Sequence, residues 1–162
     1  MPDRVDALID QWRRERPDLD PAVMGTVGRI LRAGTFLGAE LDRFAAEQGL
    51  GRGEADVLLT LRRAGKPYRL SPTALSRSLL VTPGGMTSRL DRLEREGLIR
   101  RLPDPDDRRA IEVELTPSAR RKVDALLPHH IANEERLLAP LTKRDRAELD
   151  RLLGKLLGGL EG

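Results

Sequence analysis

The 162-residue chain carries 29 Lys and Arg against 26 Asp and Glu, a net charge of +3, and it contains no cysteine. Disulfides, thiolate zinc sites and thiol redox chemistry are therefore excluded. At 39% hydrophobic residues it can bury a core, but no apolar run is long enough to cross a bilayer.

In chain order, Met1 to Arg16 is charged throughout, without a signal-peptide pattern, and cytoplasm is the expected location. Asp3 to about Arg16 reads as a helix, with Val5, Leu8, Ile9 and Trp12 on one stripe. Asp20-Pro21 caps a long helix to about Gln48. Its Gly25, Gly28, Gly34 and Gly38 point to close helix approach or to room for a ligand. Gly49 to Gly53 is a turn, and Glu54 to Ala64 is a helix ended by Gly65. A short strand at Tyr68 to Leu70 is expected to pair with later strands.

Ser71-Pro72 and Thr82-Pro83 each place a hydroxyl before a proline, the pattern of a helix start. They predict a short helix from Pro72 to about Leu80, a tight turn, and a second helix from Pro83 to Glu96 that stops at Gly97. Met86, Leu90 and Leu93 share the core stripe of that second helix, with Ser88, Asp91, Arg92 and Arg95 opposite. Two strand-like runs follow, Leu98 to Leu102 and Ala110 to Leu115, around a polar turn that ends in Arg108-Arg109. The fold class is mainly α with a small β-wing: a winged helix-turn-helix, whose recognition helix suits a major groove. From Thr82 to Ala110 seven arginines meet six acids, so DNA binding has to come from placement rather than bulk charge. Thr116-Pro117 opens a C-terminal helix that Pro128 should kink or interrupt. Thr142 caps a last helix with Leu149, Leu152, Leu153, Leu156 and Leu157 along one face. Apolar helices at both ends suggest a dimer interface.

The run Met86-Thr87-Ser88-Arg89-Leu90-Asp91-Arg92-Leu93-Glu94-Arg95-Glu96-Gly97-Leu98-Ile99, followed by Asp107-Arg108-Arg109 and Leu115-Thr116-Pro117, resembles the multiple antibiotic resistance regulator (MarR) family. The likeness extends over nearly the whole chain. It implies one MarR-like domain over 1–162. Helices in 1–48 would serve dimerisation and a ligand pocket, 52–116 would be the DNA-binding lobe, and helices in 117–162 would serve dimerisation. The expected partners are a double-stranded operator, a second copy and a small anionic effector. No cofactor, metal or membrane is expected.

For DNA, the candidates are Thr82, Thr87, Ser88 and Arg92 on the recognition helix, and Arg77 on the preceding helix as a phosphate contact. Thr87 is borderline on the helical wheel and rests partly on the family pattern. At the wing tip Arg108 and Arg109 compete; relatives with an Asp-x-Arg tip favour Arg109, with Asp107 orienting the tip.

Arg89 lies about 60° from the Met86 axis, close to the apolar stripe, where a charge needs a partner. Asp56 is a candidate, and it could equally favour the positive end of its own helix. Trp12, Asp56, Arg89 and Arg101 together resemble the urate-responsive branch of the family, in which such residues hold an anionic purine. The expectation is that a ligand such as urate breaks an Asp56–Arg89 pair and releases DNA. A phenolic or carboxylate ligand is the alternative, as is an effector-independent DNA-binding protein. His130 and Glu134 are one helical turn apart but have no clear third metal ligand. There is no G-x-S-x-G and no Walker loop, so an enzyme is not expected.

Overall fold

A computed structural model describes residues 3–104, 107 and 110–162. The chain divides into two compact units, 1–48 and 49–162.

In the first unit, α1 (Arg4–Glu15) packs on α2 (Ala22–Glu47). Asp3 caps α1 in a reciprocal box with Asp6, so local chemistry fixes where the helix begins. Arg29 of α2 then pairs with both acids, tying that end of α1 down. Val5 and Ile9 are buried between the helices. A Cβ on Gly25 would lie 3.5 Å from Ile9 Cγ1, and one on Gly28 would lie 3.5 Å from Val5 Cγ1. These two glycines let α1 approach, whereas Gly34 has nothing within 4 Å. Leu8 and Trp12, expected on the same stripe, are largely exposed.

The second unit runs α3 (Arg52–Arg63), β1 (Arg69–Leu70), α4 (Pro72–Ser78), α5 (Pro83–Arg95), β2 (Ile99–Pro103), β3 (Ile111–Leu115), α6 (Pro117–Leu137) and α7 (Lys143–Leu160). The three strands form an antiparallel sheet in the order β1-β3-β2, with Leu70 opposite Val113 and Ile99 opposite Leu115. The mainly helical class with a β-wing is therefore observed, including the pairing of the short strand with the wing.

One core joins these elements. Leu58 and Leu61 of α3, Leu75 of α4, Met86, Leu90 and Leu93 of α5 meet Ile99 and Val113 of the sheet, all buried. The period of α5 delivers one buried residue per turn and leaves its other faces polar. Ser71, Thr82, Thr116 and Thr142 all cap helices through their side-chain oxygens, and the first three precede a proline at the first helical position.

Two expected boundaries move. α3 begins at Arg52, two residues early, because Gly51 is its N-cap and the Glu54 carboxylate reaches back to the Gly51 N–H. α6 runs through Pro128 without interruption. Proline removes one backbone donor in the helix, and the remaining hydrogen bonds carry it past that point. No described helix is long and apolar enough to cross a membrane.

Candidate nucleic-acid interface

The helix-turn-helix is built by capping and by the shared core. Ser71 Oγ accepts from Ala74 N–H at 3.1 Å, and Thr82 Oγ1 accepts from Gly85 N–H at 3.3 Å. The cap uses up part of the Thr82 hydroxyl's capacity and leaves it exposed at the tip of the recognition helix α5. Between α4 and α5 lies an open groove of about 580 Å³. Thr73, Ser76, Arg77, Thr82 and Thr87 supply its polar lining, and no carboxylate among the described residues lines it.

Around α5 the side chains sort by angle. Thr87 and Ser88 are exposed, and the Thr87 hydroxyl donates to the Pro83 carbonyl at 3.0 Å. Arg95 is also exposed. Arg92 instead bends along the flank toward α3. Its Nη1 lies 3.3 Å from Glu54 Oε1, and its Nε donates to Glu96 at 3.1 Å. The hydrogen bond to Glu96, then the charge of Glu54, raise its pKa. Arg92 remains exposed beside these acids, so contact with DNA would compete with Glu54 and Glu96 for its guanidinium.

The opposite flank of α5 is held by the wing. Arg101 of β2 donates to Asp91 at 2.6 Å and to Glu94 at 2.7 Å, and its backbone N–H donates to Glu94 at 3.1 Å. Burial works against the Arg101 charge, but Asp91 and Glu94 outweigh it and raise the pKa. A second lattice crosses the sheet, where Glu114 accepts from Arg69 and Arg100 on its two neighbouring strands. Burial would raise the Glu114 pKa, and the two arginines reverse that and lower it. Recognition helix and wing are thus fixed to each other by charge-assisted hydrogen bonds.

At the base of the wing turn Asp107 N–H donates to the Asp104 carboxylate at 3.1 Å, and its carbonyl accepts from Ala110 N–H at 2.8 Å. Arg108 and Arg109, the two candidate tip contacts, lie outside the described residues.

The proposed ligand residues are distributed differently from the sequence expectation. The Asp56–Arg89 pair is not made. Asp56 Oδ2 lies 4.0 Å from Arg52 Nε, and the buried acid of α3 is Glu54 rather than Asp56. The Arg89 guanidinium lies against Gly53, where an added Cβ would sit 2.5 Å from Cζ. Arg89 is half-buried and has no carboxylate partner among the described residues. Arg101 is engaged on the far side of α5, since Asp91 and Glu94 stand about 140–200° around the helix from Arg89. Arg89 and Arg101 are thus engaged on different sides of α5 in the second unit. Trp12 belongs to the first unit and is 47% exposed.

Sequence reasoning missed Glu54, Asp91 and Glu94 as anchors of the recognition helix. The one available signal for Glu54 was Gly51-x-x-Glu54, the spacing of a capping box. Among the described residues no cluster of three or more His, Cys, Asp or Glu could hold a metal.

A profile of the MarR family matches residues 48–110, which hold α3 to α5 and the first wing strand. The chain is 36% identical over 152 residues to the HTH-type transcriptional regulator PecS of Dickeya dadantii, covering 94% of this chain and 92% of that protein. A mutant MarR of Escherichia coli, solved in complex with operator DNA, superimposes with a TM-score of 0.75 at 26% identity, over 86% of this chain and 98% of its own. BpsR of Bordetella bronchiseptica, whose DNA binding is regulated by 6-hydroxynicotinic acid, gives 0.71 at 25% identity, over 80% and 91%. The fold with its capped recognition helix, taken with these relatives, defines a winged helix-turn-helix transcriptional regulator. The chain belongs to the MarR family.

Proposed function

We propose that the protein is a homodimeric repressor that binds a pseudo-palindromic operator and is released from it by a small heteroaromatic anion, urate or another purine. The observation that carries the DNA part is the polar face of α5 beside a groove that no carboxylate among the described residues lines. Ser88, Thr87 and Thr82 read or position the major groove, Arg77 meets phosphate, and Arg108 or Arg109 extends the contact from the wing, supported by Asp107. Arg92 joins them by exchanging Glu54 or Glu96 for DNA. Repression follows from a dimer sitting over promoter DNA and excluding polymerase.

The segments at the two ends of the chain supply the dimer contacts in this reading. No residue of α7 is buried, and Leu149, Leu152, Leu156, Leu157 and Leu160 stand exposed along it. Val23, Val27, Ile30 and Leu31 do the same on α2. Apolar surface on this scale is ordinarily covered.

The ligand part rests on Arg89. A half-buried guanidinium with no carboxylate partner among the described residues is a seat for an anion, and Arg pairs bidentately with planar anionic heterocycles. Arg89 is carried on α5 while its guanidinium leans on the first turn of α3. An anion that draws it away from Gly53 therefore shifts the recognition helix. The regulation of BpsR by a heteroaromatic acid supports this ligand class; a phenolic or simple carboxylate effector is the second reading.

The test is a gel shift of the purified protein on DNA upstream of its own gene, titrated with urate, xanthine, salicylate and citrate. Urate or xanthine is expected to release the DNA. Arg89→Ala is expected to bind DNA and ignore the purine, and Trp12→Phe measures the part of the indole. Release by salicylate or citrate alone would replace the purine with that class, and equal release of the Arg89 variant would remove Arg89 from the site.

A further inference from the structure

The turn between α4 and α5 carries a leucine where the backbone does not favour one. Leu80 has a φ of 51°, in the left-handed region where a Cβ crowds the neighbouring carbonyl. Gly49, Gly65 and Gly97 occupy left-handed positions elsewhere at no such cost. Tyr68 is a second non-glycine case at φ 64°, but its ring packs against the core and lies under Arg62 and Arg120. Leu80 has no such compensation, since it is 88% exposed. The turn does not need a leucine either. Its hydrogen bonds, Val81 N–H to the Ser76 carbonyl at 3.0 Å and Leu80 N–H to the Arg77 carbonyl at 3.4 Å, are backbone bonds that glycine or asparagine would make.

Leu80 lines the α4–α5 groove together with Arg77, Thr82 and Thr87. With Arg77, several hydroxyls, the apolar Val81, Pro83 and Met86, and no carboxylate among the described residues, that lining complements a polyanion whose surface also has apolar patches at the sugar edges and thymine methyls.

We propose that Leu80 is an operator contact, an apolar side chain held out by a strained turn to meet a deoxyribose edge or a thymine methyl. The inference rests on the DNA lying along the α4–α5 face. Strain with no return in the free protein is then offset in the complex, the pattern expected of a binding residue.

The experiment uses the full chain and its Leu80→Gly and Leu80→Asn variants, both able to adopt a left-handed backbone. Thermal unfolding and operator affinity are measured at one salt concentration, with Ser88→Ala as a control for the interface. Both Leu80 variants are expected to unfold at the same or a higher temperature and to bind operator about 5–10-fold more weakly. The salt dependence of binding should not change, because leucine neutralises no phosphate. Wild-type affinity in both Leu80 variants overturns the inference, as does a fall in unfolding temperature in both, which would mean that Leu80 serves the fold. If Ser88→Ala is weakened and the Leu80 variants are not, Leu80 alone is lost from the interface. If all three bind as the wild type does, the placement of DNA on this face is wrong.

Discussion

Exchanging Leu152 and Leu156 for aspartate is expected to leave a monomer that binds operator at least about 100-fold more weakly than the wild type. α7 does not need these leucines to form. Thr142 and Asp145 cap it reciprocally, and Asp145, its pKa lowered by the hydrogen bonds from Thr142, keeps its charge at the positive helix end. Both leucines are exposed along the helix in the single chain, so the double variant should keep its far-ultraviolet circular dichroism. In a dimer the same positions would place carboxylates in an apolar seam with nothing to pair them. A monomer offers one recognition helix to one half-site and loses the gain from joining two weak contacts. Light scattering gives the mass, and fluorescence anisotropy gives the affinity. A double variant that remains dimeric would locate the interface elsewhere.

Reversing the charge of Arg101 is the second large effect. Arg101→Glu would set three carboxylates together where the guanidinium now joins Asp91 and Glu94. The wing strand would lose its tie to the recognition helix, although the buried Ile99, Val113 and Leu93 beneath should hold the lobe together. Operator binding is expected to fall by about 30-fold, the range for breaking a hydrogen-bonded charge pair and leaving its partners unmatched. Unfolding should shift much less, because the pairs are partly exposed to water. The diagnostic step is a rescue. Asp91→Arg combined with Arg101→Glu should recover part of the affinity, whereas an Arg101 that only held an effector would leave operator affinity unchanged in the single Arg101→Glu variant.

What could be read from the sequence is what local chemistry decides. Ser71, Thr82, Thr116 and Thr142 announce their helices because a hydroxyl caps N–H groups only a few residues away. Met86, Leu90 and Leu93 announce the buried side of α5 because helical spacing alone brings them together. Gly97, at φ 68°, ends the reversal from α5 into the wing for the same local reason. The ion pairs were not legible, because the fold chooses among many acids and bases. Arg92 was expected to face outward, yet its angle on α5 also brings it within reach of Glu54, which an unanticipated cap had fixed at the start of α3. Arg89 was expected to find Asp56, but Gly53, three residues earlier on the same helix, leaves the notch that its guanidinium fills. Leu80 looked like the last residue of a helix. Its backbone is decided by the turn that brings α5 back onto the shared core.

In the proposed function two recognition helices from one dimer enter successive major-groove faces of the operator, about one DNA turn apart. Hydroxyl-radical footprinting of the purified protein on DNA upstream of its gene tests it most directly. The expected pattern is two symmetric protected patches about 10 base pairs apart over an imperfect palindrome, with each patch weakened by Ser88→Ala. Protection of a single patch, or protection spread evenly along the DNA without sequence preference, would contradict it.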